Sequence, residues 1–239
     1  MVYIKKKKKK KKKRAFADEG KSLTLDLEAS GREIAKRCGG VLLAARVLGG
    51  TMCFKCDKNK WLAIQKDKIW YLLDNNNNDI YSVLKLCFDH LPVPSLKQCF
   101  AYCAIFPKDY DIKKNEVIQY WMAEGFLEPA EEANMAMEDI GNMYFNILLA
   151  TSFFQNARKD AYGRIISCKM HDLVHDFAQL ISKSETLILE GDLVDNVNNV
   201  QHLFVRSDGK TTLGSSFSGD GFVKLRTLIS ENFDFYDKL

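Results

Sequence analysis

Residues 137–181 read MEDIGNMYFNILLATSFFQNARKDAYGRIISCKMHDLVHDFAQLI, and this stretch decides the fold. Apolar residues recur at helical spacing over Met137–Leu149. Two short segments, Ser152–Gln155 and Arg164–Lys169, then have the character of strands, and the polar turn Lys159–Gly163 joins them into a predicted β-hairpin. Helical spacing returns over His171–Ile181. The apolar face predicted for this last helix comprises Leu173, Val174, Phe177 and Leu180.

The segments before this stretch extend the helical pattern. Gly39-Gly40 interrupts a helix that starts near Ser30, and Gly49-Gly50 ends the next one. Ser95 and Asn115 are the predicted N-caps of two further helices. Together with the hairpin, these helices predict a winged-helix domain.

The sequence thus predicts a mainly α fold with four parts. Residues 1–29 form a disordered, lysine-rich segment, and residues 30–90 form a small helical domain. The winged helix spans 91–185. From 196 to 239 the chain has two short predicted strands, Val200–Val205 and Val223–Ile229, with leucine-type spacing.

The positive charge of the chain is concentrated near its start. Lysines and arginines number 35 against 31 acidic residues, a net charge of +4. Lys5–Lys13 is an unbroken lysine run followed by Arg14, and without these residues the balance is −6. Three interpretations stay open for the run: a nuclear-localisation or nucleic-acid patch, a solvated tail, or a low-complexity beginning. No segment approaches the ~20 apolar residues of a membrane helix, so we expect neither a signal peptide nor a membrane span.

A zinc site is one alternative function. Cys53 and Cys56 form a C-x2-C pair, and His171 and His175 form an H-x3-H pair. A zinc finger needs about 12–15 residues between its pairs, and these lie far beyond that spacing. We therefore expect no metal, and we expect the seven cysteines to be reduced thiols packed in apolar surroundings.

A thiol enzyme is a second alternative. Cys99 or Cys103 could pair with His171, but nothing in the sequence brings them within hydrogen-bond reach or supplies an oxyanion hole. Both cysteines lie on an apolar helical face, where a buried thiol is expected. We therefore predict that the protein is not an enzyme.

Specific DNA binding is a third alternative, because winged helices often read DNA with a recognition helix. The helix predicted from Asn115 carries Trp121, Met122 and Glu124 and no arginine. Such a surface is poor in phosphate contacts. We interpret Trp121 and Met122 as core residues and expect no specific nucleic-acid partner.

Six strings of the sequence follow one another in a characteristic order. They are GGVLLA (39–44), LKLCFDHLP (84–92), LKQCFAYCAIFPKDY (96–110), VIQYWMAEGFL (117–127), MEDIGNMYFNILL (137–149) and MHDLVHDFAQL (170–180). This series resembles the NB-ARC region of plant nucleotide-binding leucine-rich-repeat disease-resistance proteins, most closely the coiled-coil-type subgroup. The resemblance implies an ARC1-like helical domain, a winged helix and the start of a leucine-rich repeat region.

The resemblance also implies a molecular switch in the plant defence response. In the family, ADP between a P-loop domain, a helical domain and the winged helix keeps the receptor closed, and ATP permits a signalling oligomer. His171 of the MHD motif would contact the β-phosphate, and Asp172 would help hold the closed arrangement. Gly40 and Leu42 fall in the motif beside the adenine, with Leu42 where the family has proline. Taken without the resemblance, His171 is interpreted as a cap or solvent-facing residue at a helix start.

One departure from the family pattern limits what this chain does unaided. The sequence contains no G-x-x-x-x-G-K-[ST] loop, which would supply backbone amides and a lysine to the nucleotide phosphates. We therefore expect a truncated, cytoplasmic receptor component that needs its P-loop domain and its leucine-rich repeats as intramolecular partners. The main rival is a protein-interaction module without a nucleotide function.

Overall fold

A computed structural model describes residues 25–53, 58–67, 80–127, 135–183, 185–190, 199–206 and 223–231. Within these residues the protein is mainly helical, as predicted, with eight α-helices, one 3-10 turn and six short strands. Their order is α1 (Leu25–Arg37), α2 (Leu42–Cys53), α3 (Lys58–Gln65), α4 (Ile80–Asp89), α5 (Pro94–Tyr102), the 3-10 turn Cys103–Ile105, β1 (Ile112–Lys113), α6 (Lys114–Ala123), α7 (Met137–Ala150), β2 (Phe154–Lys159), β3 (Ile165–Met170), α8 (Asp172–Ser182), β4 (Thr186–Glu190), β5 (His202–Arg206) and β6 (Thr227–Glu231). The lysine run and Cys56 lie outside the described residues.

The chain packs as two compact units, each built from two stretches of sequence. Unit 1 comprises Met1–Lys97 and Met143–Ala157, and unit 2 comprises Gln98–Asn142 and Arg158–Leu239. The predicted domain boundaries stay a prediction, because a unit of close packing need not coincide with a domain of a family. Helix α1 does start at Leu25, however, inside the segment that we expected to be disordered.

In unit 1, α1 packs on α3 and α2 packs on α4. Helix α2 continues through Gly49-Gly50 to Cys53, so the prediction that these glycines end the helix is wrong. Glycine is present at position 50 for a steric reason: a Cβ atom there would lie 2.2 Å from the carbonyl oxygen of Ala150. Only glycine allows α2 to approach the end of α7 so closely.

The winged helix has the predicted combination of helices and a β-hairpin. Strand β1 pairs antiparallel with β3, with Ile112 opposite Cys168, in a three-stranded sheet of order β1-β3-β2. Trp121 of α6 is fully buried, as predicted, whereas Met122 is half-buried.

The hairpin begins later than predicted. Helix α7 reaches Ala150, and Ser152, with a φ of 63°, donates its amide to the carbonyl oxygen of Leu149 at 3.0 Å. This left-handed residue terminates the helix. Strand β2 therefore starts at Phe154 and extends to Lys159, instead of covering Ser152–Gln155.

Two predicted N-caps are also wrong. Helix α5 already begins at Pro94, whose fixed φ suits the first helical position, so Ser95 lies inside the helix. Helix α6 begins at Lys114 after the extended residue Lys113, so Asn115 is likewise helical.

Helix α8 buries part of the face predicted for it: Val174 and Phe177 are buried, and Leu173 is half-buried. Leu180, assigned to the apolar face, is 65% exposed. The buried face also includes two polar residues, His175 and Ser182, beside Val174 and Ala178. Their hydrogen bonds offset the cost of burial, and the face is rotated away from Leu180.

A second, parallel sheet of order β4-β5-β6 follows the winged helix. Strands β5 and β6 begin later than the predicted segments, and β4 was not predicted. Leu189, Val200, Leu203 and Val205 form its apolar core. In register, Thr186, His202 and Thr227 align at the beginning of the strands. Strands β4 and β5 pack on the turn Cys103–Ile105. No helix in the described part of the chain is long and apolar enough to cross a membrane.

Candidate functional site

The candidate site is the start of helix α8, where His171 is the N-cap residue. His171 has extended backbone dihedrals, and its Nδ1 accepts a hydrogen bond from the amide of Leu173 at 3.2 Å. A ring nitrogen that accepts carries no proton, so the proton of this neutral imidazole lies on Nε2. The capping interpretation is therefore confirmed, and the half-buried side chain keeps an N–H donor on its other nitrogen.

Asp172, the first residue of α8, is exposed. A carboxylate in the first turn of a helix interacts favourably with the partial positive charge of the unpaired backbone amides. Asp172 and His171 are thus adjacent at a helix start, as the sequence implied. Whether either contacts a nucleotide stays a prediction.

Below His171, successive turns of α8 hold the segment that follows helix α5. Nε2 of Gln179 donates to the carbonyl oxygen of Ala104 at 2.6 Å, and Nε2 of His175 lies 2.8 Å from that of Phe106. A carbonyl oxygen only accepts, so His175 donates. Nζ of Lys108 lies 2.6 Å from Oδ1 of Asp176. These contacts connect the strings LKQCFAYCAIFPKDY and MHDLVHDFAQL.

Gly40 and Leu42, the other two predicted site residues, belong to unit 1, whereas His171 and Asp172 belong to unit 2. Gly40 has a φ of 84°, a conformation that favours glycine. Leu42 is the first residue of α2 and is 41% exposed. Proline is well suited to this first helical position. Leucine also forms helices well, so α2 begins at Leu42 without a proline there.

A second polar centre, which sequence reasoning missed, lies just beyond α6 at Glu124, whose side chain is only 4% exposed. Its carboxylate lies 3.1 Å from Nε of Arg226 and 3.5 Å from Nδ1 of His202, and it accepts a hydrogen bond from Oγ1 of Thr227. The ring of Tyr102 packs edge-on against His202, with centroids 4.9 Å apart. Burial lowers the pKa of His202, because it disfavours the charged imidazolium. Glu124 thus connects α6 with strands β5 and β6.

The described cysteines are buried, as predicted, and none of them is in a disulfide. Burial raises the pKa of the Cys99, Cys103 and Cys168 thiols, which keeps them protonated at neutral pH. Among the residues that the structure describes, no three histidine, cysteine or acidic side chains are grouped so as to hold a metal ion.

His175 and Glu124 are the two residues whose importance the sequence did not reveal. Each bonds to groups far along the chain, so local spacing carries no direct signal. The only available hint for His175 was its place one helical turn after His171. For Glu124 the hint was an acidic residue at the end of an apolar helix.

Comparisons with known proteins bear directly on this site. Residues 105–178 match the winged-helix domain model of disease resistance proteins. RGA1 of Solanum bulbocastanum is 37% identical over 222 residues, 92% of this chain and 22% of that protein. Disease resistance protein RGA2 of the same plant is 41% identical over 72% of this chain and 17% of its own length, and disease resistance protein RPM1 of Arabidopsis thaliana is 34% identical over 68% and 17%.

The chain therefore spans about a fifth of the length of these relatives. The start of α8 and the strings VIQYWMAEGFL and MEDIGNMYFNILL fall within the matched stretch of the winged-helix model. The chain belongs to the family of plant disease-resistance proteins, and residues 105–178 are its winged-helix domain.

Proposed function

We propose that the chain is a regulatory part of a plant defence receptor whose state depends on bound ADP or ATP, and that His171 is its phosphate-sensing residue. The observation that supports this most is the cap at the start of α8. Because Nδ1 of His171 accepts from Leu173, the ring presents Nε2–H as a donor. Phosphate oxygens accept such bonds, and helix N-termini favour anions.

The residues present fit a diphosphate only in part. His171 offers one hydrogen-bond donor, and the dipole at the start of α8 adds a positive potential. The remaining donors would come from a P-loop, which this sequence does not contain. In the proposed receptor, the P-loop domain and the leucine-rich repeats are intramolecular partners, the protein acts in the cytoplasm, and it is a switch rather than an enzyme.

A chimera tests this function. The segment of RGA2 that matches this chain is replaced by the corresponding residues of the chain, and the nucleotide that co-purifies with the chimera is quantified. We expect bound ADP, and we expect His171→Ala to weaken ADP binding by about 10- to 100-fold, the loss typical of a hydrogen bond to a charged group. His90→Gln, in unit 1 and in a different motif string from His171, is the matched control.

Two results would count against the proposal. Equal ADP affinity in the chimera and its His171→Ala variant would remove His171 from the site. A folded chimera that holds no nucleotide, next to intact RGA2 that does, would favour the rival interpretation of an interaction module.

A further inference from the structure

Helix α8 carries three polar residues at positions 171, 175 and 179, one turn apart, so they lie along one face. The lower two bond to carbonyl oxygens of the preceding segment, Gln179 to Ala104 and His175 to Phe106. From His175 to Gln179 the donors follow the direction of the chain, whereas their acceptors go in the opposite direction, from residue 106 to residue 104. The segment therefore lies antiparallel to α8.

These two bonds have a property that the surrounding apolar contacts lack. Val174, Phe177 and Ala178 are buried on the same side of α8, and burial of apolar surface depends little on direction. A hydrogen bond requires a defined donor angle and distance. A helix that slips by one residue rotates by about 100°, which would break both bonds.

We propose that His175 is a positioning residue for His171: its bond to the Phe106 carbonyl fixes the rotation of α8 and thereby the direction in which Nε2–H of His171 is presented. Gln179 supports it one turn further along. His175 itself is 5% exposed and has its donor occupied, so it acts through the helix and not by touching a ligand. The phosphate as the target of His171 rests on the proposed function; the positioning does not.

A purely structural role for His175 predicts a different result. In that case, replacing His175 lowers the melting temperature and leaves the geometry at His171 unchanged. Positioning predicts that the tautomer of His171 and its bond to the Leu173 amide change as well. The chain has four histidines, at 90, 171, 175 and 202, few enough to assign each imidazole by single substitution.

The experiment records long-range ¹H–¹⁵N imidazole spectra and amide hydrogen exchange on the full chain without nucleotide. The wild type should show His171 and His175 both protonated on Nε2. In His175→Leu, we expect a mixture of His171 tautomers and about fivefold faster exchange of the Leu173 amide, the factor that corresponds to one hydrogen bond. His175→Gln places an amide N–H at a reach similar to that of Nε2, and it should restore the wild-type spectrum.

Two further variants keep the test decisive. If His175→Leu does not fold, Gln179→Leu removes the neighbouring bond at a half-buried position and should shift the His171 signals in the same direction, by less. Leu180→Ala, on the exposed face of the same helix, is the control and should leave His171 unchanged. Unchanged His171 signals in a folded His175→Leu or Gln179→Leu variant would overturn the proposal, as would failure of His175→Gln to restore them.

Adding ADP to the chimera carrying His175→Leu separates this inference from the proposed function. Weaker ADP binding together with altered His171 signals supports both. Altered His171 signals with no ADP binding in any chimera keep the positioning role and refute the nucleotide role. Unaltered signals with normal ADP binding refute the positioning role alone.

Discussion

Two buried polar contacts in unit 2 connect distant parts of the chain by different chemistry. At α8, the side chains of Gln179 and His175 donate to the backbone carbonyl oxygens of Ala104 and Phe106. Beyond α6, a buried carboxylate, Glu124, faces Arg226 and His202. The acceptors of the first contact are uncharged carbonyl oxygens, whereas the second contact places a charge where only 4% of the side chain meets water.

The difference teaches what each contact can do. Neutral bonds to backbone depend weakly on salt, so the contact at α8 can hold its geometry in varied conditions. A buried charge stabilises only while its partners remain, because an unpaired buried charge is costly. The contact at Glu124 should therefore respond to pH, salt and partner loss, and four changes to the protein or its medium test this contrast.

Loss of Glu124 should have the largest effect. Glu124→Ala leaves Thr227 without its acceptor and Arg226 without its ion-pair partner, and we expect a loss of about 2–4 kcal/mol in the free energy of unfolding. Urea denaturation measures this loss. Glu116→Ala removes a carboxylate that is ion-paired with Lys113 at the surface and should cost less than about 0.5 kcal/mol. Similar losses in the two variants would contradict the contrast.

Loss of the neutral contact should cost less. His175→Leu leaves the buried carbonyl of Phe106 without its donor, and we expect a loss of about 1–3 kcal/mol. The same urea titration applies. His175→Gln should recover most of this free energy, and a cost for Gln as large as that for Leu would show that packing and not the bond is lost.

Acid should weaken the contact at Glu124 through His202. The pKa of His202 is lowered in the folded protein from its ordinary value of 6.5, so the unfolded chain binds the proton more readily. Stability contributed by neutral His202 is complete above pH 6.5 and is lost as the pH falls through the lower, folded pKa. Melting temperatures recorded across this range should fall, and His202→Gln should flatten the decline.

Salt should have the smallest effect. Because Arg226 is 53% exposed, raising NaCl to about 1 M should weaken its attraction to Glu124 by less than about 1 kcal/mol. Melting curves with and without salt measure the change. The salt dependence should diminish in Arg226→Gln and persist in His175→Gln; the opposite pattern would assign the charge sensitivity to α8.

The winged helix was predictable because its helices and its hairpin have recognisable local sequence patterns. Periodic apolar residues gave α7 to within one residue, and the turn residues located the hairpin. The identity of His171 as a helix-start residue followed in the same way. The strand boundary at Ser152 was missed because a left-handed backbone conformation at a serine has no strong sequence signal.

Long-range contacts were not predictable, because the residues that form them are not neighbours in the sequence. His175 bonds to a residue 69 positions away. The buried face of α8 includes His175 for this reason, and Leu180 stays exposed. Two partners of Glu124, Arg226 and Thr227, lie 102 and 103 positions along the chain. Gly50 was interpreted as a helix end because the nearby sequence does not show why a side chain is excluded there. The residue that leaves no room for a side chain is Ala150, which is equally remote in the sequence.

The close approach of Gly50 to Ala150 has a consequence for synthesis of the protein in the cell. Ala150 leaves the ribosome about 100 residues after Gly50, some 5–20 seconds later at ordinary rates of translation. Until then, the surface of α2 that α7 covers faces water. Unit 1 begins first but closes late, with residues 98–142 already emerged between its two stretches. Unit 1 can therefore complete its packing only after the residues of its second stretch have been made.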